Sequence, residues 1–151
     1  RRELGRLTAG FIGVSGTGSV SAEQGCRLGF GRVKLIDFDR VEMKNLTRIL
    51  NSTLRDAHAR RLKVEAFAEA VSAYRGGGVA EPIPLSILSR DAVIAAGQCD
   101  VLFCGVDSLE ARQIADLIAT AFLLPLFDVG VVIPVRDAWG RAGDRRCMWP
   151  N

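Results

Sequence analysis

Apolar positions along this chain switch between unbroken runs and helical spacing. Val101-Leu-Phe-Cys104 and Leu123-Leu-Pro-Leu-Phe127 are continuous apolar runs, the pattern of strands covered on both faces. Val64, Phe67, Val71 and Tyr74 instead recur three, seven and ten residues on, and Ile114, Leu117, Ile118, Ala121 and Phe122 form a second such stripe. With glycine, proline and polar turns between them, these patterns predict strands near 8–14, 32–37, 78–83, 100–105 and 125–133. Helices are predicted near 17–28, 61–74, 88–96 and 108–123. Alternating strands and helices of this size imply an α/β fold, a doubly wound and mostly parallel sheet with helices on both faces. Arg75-Gly-Gly-Gly78 reads as a turn, because no helix follows it to make a phosphate loop.

Composition narrows the class. At 151 residues, 48% hydrophobic and 25% charged, the chain reads as a single domain over 1–151. A domain of this size buries about 68–70% of its unfolded surface. No apolar run reaches the ~18 residues that would span a bilayer, and no signal peptide is seen, so no membrane partner is expected. A net charge of +3 on scattered basic residues makes no electrostatic case for nucleic acid. Cys26, Cys99, Cys104 and Cys147 form no Cys-x-x-Cys pair, so no zinc is expected within this chain. Cys26 and Cys104 lie in apolar stretches as small buried hydrophobes, and a reducing cytoplasmic location fits this usage.

The polar residues fall where such a sheet gathers ligands, at the carboxyl ends of its strands. Gly13-Val-Ser-Gly-Thr-Gly18 follows the first strand. Glycines permit a tight turn that aims backbone N–H groups at phosphates, and the next helix adds its positive end. Ser15 interrupts the plain Gly-x-Gly-x-x-Gly pattern, so this motif alone also fits a purely structural strand-to-helix turn. Asp37 ends the next strand nineteen residues after Gly18, where a carboxylate accepts hydrogen bonds from ribose hydroxyls. A lone strand-end aspartate is often just a cap. Joined to the glycine turn, it makes a Rossmann-like nucleotide site the better reading.

Asp39 and Asp107 are expected to enter the same cleft from neighbouring strand ends, and paired hard oxygen ligands beside a triphosphate suit magnesium. Asp107 equally fits as N-cap of a helix starting at Ser108, with Glu110 in its first turn, and the two roles are compatible. Asn45, Arg48 and Lys63 place amide and cationic donors on that side, suited to the charge of a polyphosphate losing pyrophosphate. Singly, each is an ordinary surface group. What sets them apart is the compact spelling Val41-Glu-x-x-Asn-Leu-x-Arg48 directly after the acidic strand end.

At this point the chain resembles the ThiF/MoeB family, the adenylation domain of ubiquitin-activating-type enzymes. That family carries Gly-x-Gly-Gly-x-Gly, then Asp-x-Asp-x-Val-Glu-x-x-Asn-Leu-x-Arg, a downstream lysine, and a strand-end aspartate followed by an arginine. This sequence reads Gly13-Val-Ser-Gly-Thr-Gly18, Asp37-Phe-Asp-Arg-Val-Glu-Met-Lys-Asn-Leu-Thr-Arg48, Lys63, and Asp107 with Arg112. Phe127-Asp-Val-Gly-Val131 is similar to the strand that follows, and the likeness covers about residues 7–135. The resemblance implies that Gly13, Ser15, Gly16, Gly18, Asp37, Asp39, Asn45, Arg48 and Lys63 bind ATP. Asp37 would hold the ribose, and Asn45, Arg48 and Lys63 the polyphosphate. Asp107, with Asp39, would serve Mg2+, leaving Arg48, Lys63 and Asp107 as the catalytic candidates.

The resemblance also implies a reaction. Such proteins activate the C-terminal glycine carboxylate of a ubiquitin-like or sulfur-carrier protein ending in Gly-Gly, releasing pyrophosphate and leaving an acyl-adenylate. They are expected to act as homodimers. No protein nucleophile is needed for that step. Ser15 departs from the family glycine, and its hydroxyl is a candidate donor to a phosphate oxygen. Lys63 lies about two residues beyond the family spacing, with Arg60 and Arg61 as neighbouring alternatives. The family's N-terminal arginine-bearing helix and C-terminal cysteine pairs are not found, so the domain is expected to be incomplete at both ends. Cys147 is the candidate exposed thiol, and His58 reads as a surface residue. Three competing functions stand beside carrier-protein adenylation. They are adenylation of a small-molecule or tRNA carboxylate, an NAD-dependent oxidoreductase that Asn45 and Arg48 argue against, and a non-catalytic dimerisation partner of such an enzyme.

Overall fold

In the computed structural model, which describes residues 3–130, five short strands form one parallel sheet. They are β1 (Thr8–Ile12), β2 (Arg32–Ile36), β3 (Ala80–Ile83), β4 (Val101–Cys104) and β5 (Leu126–Asp128), in the order β3-β2-β1-β4-β5. Phe11 of β1 sits opposite Leu35 on one side and Phe103 on the other. Between the strands run α1 (Gly16–Leu28), α2 (Leu54–His58), α3 (Lys63–Arg75), α4 (Arg90–Gly97) and α5 (Leu109–Phe122).

Side chains alternate across a strand, and both faces here are apolar. Ala9, Phe11, Val33 and Leu35 pack beneath α1 and α3 with Val64, Phe67 and Val71. Ile12, Ile36, Leu102 and Cys104 pack beneath α4 and α5. On the first face Phe11, Phe103 and Phe127 stack in a row, with ring centroids 4.7 and 5.2 Å apart. Burial pushes the thiols of Cys26 and Cys99 up to about 11 and raises that of Cys104. Cys26 and Cys104 behave as the small hydrophobes the sequence suggested, Cys99 is buried as well, and Cys147 lies outside the described residues.

The chain winds outward from β1 to β3, then crosses back and winds the other way through β4 and β5. That reversal opens a crevice at the carboxyl ends of β1 and β4. The first turn into it needs glycine at both ends. Gly13 adopts φ +85°, and a Cβ on Gly18 would overlap the Gly13 carbonyl oxygen. Only with hydrogens at both positions does α1 begin this close to β1.

The predicted strand at 125–133 ends at Asp128, its positions 131–133 lying outside the described residues, and three further expectations change. The predicted strand at 8–14 ends at Ile12, because Gly13 and Val14 form the turn. The stripe drawn through Leu117, Ala121 and Phe122 is exposed, and only Ile118 of that set is fully buried, with Ile114 partly so. The buried face of α5 is Ala111, Ala115, Ile118 and Ala119. On a helix this rich in apolar residues two stripes satisfy the spacing, and the alanine one lets the helix lie closer to the sheet. The third change is α2, which was not predicted. Its signal is a capping box, with Thr53 accepting from the Asp56 amide and Asp56 accepting from the Thr53 amide. His58 at its end is exposed, as expected.

Candidate functional site

An open cleft of about 860 Å³ lies over the carboxyl ends of β1, β2 and β4. The glycine turn forms its floor. Ser15 stands at the N-cap position of α1 but makes no side-chain cap, so its oxygen does not take the amides of the first helical turn. Gly16 faces open space, with no atom within 4 Å of where a Cβ would be. The first turn of α1 thus presents free N–H groups to the cleft, as anion sites at helix N-termini do.

Asp37 is buried at the end of β2. Its Oδ2 accepts from the Val14 amide at 2.8 Å and its Oδ1 from the Asp39 amide at 2.8 Å. The carboxylate therefore ties the two strand-end turns together. Each oxygen can still accept a second hydrogen bond, and the residue lines the cleft.

Lys63 begins α3, yet only 5% of it is exposed. Its Nζ donates to Ser15 Oγ at 2.7 Å and to Asp39 Oδ2 at 2.6 Å. Lysine only donates, so Ser15 must accept in this bond, and the serine hydrogen has no acceptor among the described residues. Arg61 is engaged elsewhere, with Asp56 at 2.9 Å and Glu69 at 2.7 Å. Lys63 is thus the cation of the three that lines the cleft.

Asn45 is buried and Arg48 exposed, and both line the same cleft from the turn after β2. Asp107 is exposed on the far side, after β4. It does not cap α5: Ser108 does, accepting from the Ala111 amide at 3.3 Å. The Asp107 carboxylate has no hydrogen-bond partner among the described residues. Arg112 pairs with Asp128 and also donates to the Val106 carbonyl at 2.6 Å, bracing the loop that carries Asp107. Phe38, Leu85 and Leu88 add an exposed apolar rim beside Asp37. The structure therefore gathers every residue proposed to bind ATP or magnesium around one cleft except Gly18, which packs against the backbone of Gly13 and Gly105. Among the described residues no three His, Cys, Asp or Glu side chains form a metal cluster.

Sequence reasoning missed the polar core behind this cleft. Glu23, on α1, is buried and accepts from Arg27, Asn51 and Tyr74. The only hint was that Ser19 and Glu23 stand one turn apart on the edge of a helix face otherwise made of Gly18, Ala22, Gly25 and Cys26.

A match to the ThiF family spans residues 1–143. The chain belongs to the ThiF family. It is 28% identical to ubiquitin-like modifier-activating enzyme 5 of Drosophila pseudoobscura pseudoobscura, over 93% of this chain and 38% of that protein. The same enzyme from Aedes aegypti is 27% identical, with 91% of this chain and 38% of the relative covered. The chain therefore spans about two-fifths of the curated relatives it matches. Among solved structures, E. coli MccB with ATP superposes with a TM-score of 0.78 at 19% identity, over 88% of this chain and 40% of that one. E. coli tRNA N6-threonylcarbamoyladenosine dehydratase in complex with ATP gives 0.77 at 20%, over 90% and 56%. These two establish the Rossmann-like fold of this ThiF-family chain.

Proposed function

We propose that this ThiF-family chain carries the ATP site of an adenylating enzyme acting on the C-terminal glycine carboxylate of a ubiquitin-like or sulfur-carrier protein. The observation that carries this reading is Lys63, a nearly buried ammonium held at the mouth of the glycine turn between Ser15 and Asp39. A plain dinucleotide site has no use for a fixed cation there; a polyphosphate losing pyrophosphate does.

In this reading the nucleotide lies across the switch point. Its ribose hydroxyls donate to Asp37, and its base lies against Phe38, Leu85 and Leu88. The phosphates reach the free amides of α1 and the donors of Asn45, Arg48 and Lys63. An oxygen of the incoming carboxylate attacks the α-phosphorus and forms a new P–O bond. The bond to the β-phosphate oxygen breaks, and pyrophosphate leaves with that electron pair. Arg48 and Lys63 sit where this negative charge accumulates, so their contribution is electrostatic and positional.

Two carboxylates with uncommitted oxygens, Asp107 and the Oδ1 side of Asp39, match the one or two that Mg2+ takes from a protein. When bound, the ion would neutralise charge on the phosphates. Relatives of this chain named as activating enzymes, and MccB and the dehydratase solved with ATP, support the reading at the level of chemistry.

The test is ATP–pyrophosphate exchange with and without carrier proteins ending in Gly-Gly. Carrier-dependent exchange that disappears in Asp107→Ala and Lys63→Met supports it. Ser15, standing where the family has glycine, favours one second reading, a non-catalytic dimerisation partner. In that case ATP binds and no carrier yields exchange.

A further inference from the structure

The turn that carries Asn45 and Arg48 is not part of the sheet. Its backbone closes on itself, with the Arg48 and Ile49 amides both donating to the Asn45 carbonyl at 3.0 Å. Leu46 packs it against Val41, Ala57 and Ala66, and its C-terminal end is tied by hydrogen bonds to one face of α1. Ser19, fully buried, donates to the Gly16 carbonyl at 2.9 Å and accepts from the Leu50 amide at 3.1 Å. One helical turn later, Glu23 Oε2 accepts from the Asn51 side chain at 2.7 Å. Asn51 itself holds φ +59°, a left-handed conformation that asparagine tolerates better than most residues. Ser19 therefore joins the start of α1 to the segment that follows Arg48, and Glu23 holds that same segment one helical turn further on.

Both oxygens of Glu23 are engaged. Tyr74 from α3 donates to Oε2 at 2.7 Å, and Arg27 donates to Oε1 at 2.6 Å while lying over the Tyr74 ring. A buried carboxylate is a poor way to gain stability, because apolar residues of similar volume serve as well. What three directed donors supply instead is geometry. Here the geometry sets the distance between the helix amides and the turn bearing Arg48.

We propose that Glu23 and Asn51 are positioning residues, which hold the Asn45–Arg48 turn against α1 so that Arg48 meets a polyphosphate already seated on the glycine turn. The proposal rests on the nucleotide reading of the cleft and adds a division of labour within it. Recognition of adenosine and the first phosphate belongs to Asp37 and α1. Discrimination for the outer phosphates is set from behind, through Glu23.

The experiment compares ATP and AMP binding by calorimetry in the wild type, Asn51→Gly, Arg48→Ala and the double variant. Glycine accepts φ > 0 freely, so Asn51→Gly removes the side-chain bond without backbone strain. Expected is about tenfold weaker ATP binding, the size of one lost buried hydrogen bond to a charged group, with AMP binding unchanged. In the Arg48→Ala background the Asn51 substitution is expected to add nothing, since its effect passes through Arg48. Glu23→Gln, which keeps an acceptor, is expected to lie between wild type and Asn51→Gly. Equal weakening of ATP and AMP, or an additive double variant, overturns the proposal. A second readout needs no nucleotide: amide exchange at Leu50 in the free protein should accelerate in Asn51→Gly while Cys26 of α1 stays protected. If Leu50 keeps its protection, the tether is absent and the proposal fails. If Leu50 is released but the wild type binds no ATP, the tether stands, while the nucleotide reading and the role assigned to it both fall.

Discussion

In the proposed function Lys63 is the residue on which the site turns. A lysine this buried needs partners, and removing Asp39 would leave it with one neutral oxygen. Asp39→Ala is therefore expected to lower stability by about 1–3 kcal/mol, read from urea unfolding. Lys63→Met keeps the volume and removes the charge that must be partnered. It should unfold close to wild type while exchange activity falls about 10²–10³-fold. If Lys63→Met instead costs as much stability as Asp39→Ala, the ammonium is a structural tie and not a ligand for phosphate. The sequence could nominate Lys63 only alongside Arg60 and Arg61, because spacing does not say which cation turns inward. The answer came from tertiary pairing, since Arg61 is held by Asp56 and Glu69. The thiols give a simpler residue-scale check. With Cys26 and Cys99 pushed up to about 11, alkylation of the folded protein at neutral pH should leave both, and Cys104, unmodified. Denaturant should expose all three to labelling, as seen by peptide mapping.

At the scale of elements, α1 does two jobs, and two glycines separate them. Gly18→Ala drives a Cβ into the Gly13 carbonyl and should destabilise the protein by about 3 kcal/mol. Gly16→Ala meets nothing and removes backbone freedom in a helix, so it should melt at or slightly above wild type. Its added methyl points into the cleft, and nucleotide binding should weaken nonetheless. Loss of stability in Gly16→Ala, or unchanged binding, would contradict this assignment.

The tether from α1 also has a pH signature. Burial pushes the Glu23 carboxyl up, but hydrogen bonds from Tyr74, Asn51 and Arg27 outweigh it and leave the group below the ordinary value near 4.5. Asp56 is likewise left below its ordinary value near 3.8, Thr53 and Arg61 outweighing its burial. Both groups stabilise the folded state above the ordinary carboxyl values. That contribution is lost as pH falls through the lower folded values, because the unfolded chain then binds more protons. Melting temperature should therefore drop as pH goes below about 4.5, and less steeply in Glu23→Gln. The elements with strong patterning, β1, β2, β4, α1 and α3, were legible from sequence. The stripe on α5 was not, because an alanine face and a leucine–phenylalanine face satisfy the same period. Neither was the Ser19–Glu23 edge, since a polar pair on a helix looks solvated until a loop is found beneath it.

For the molecule as a whole, the decisive feature is where the sheet reverses. The motifs at 13–18, 37–48, 63 and 107 lie far apart in sequence, and the winding order brings them to one crevice. Alternating elements predicted the doubly wound sheet, and the placement of ligands at the carboxyl ends of parallel strands predicted the crevice. What sequence pattern could not show was the network behind it. That network depends on contacts between α1, the turn at 45–51 and α3 that carry no local periodicity. The central claim is that the cleft directs a carboxylate to the α-phosphorus of ATP. The most direct measurement is the intact mass of a Gly-Gly-ending carrier protein after incubation with this chain, ATP and magnesium. The account predicts a carrier bearing one adenylyl group, formed with pyrophosphate and absent when the carrier's terminal carboxylate is amidated. A carrier left unmodified, an adenylyl group on the amidated carrier, or a phosphoryl group formed with ADP would contradict it.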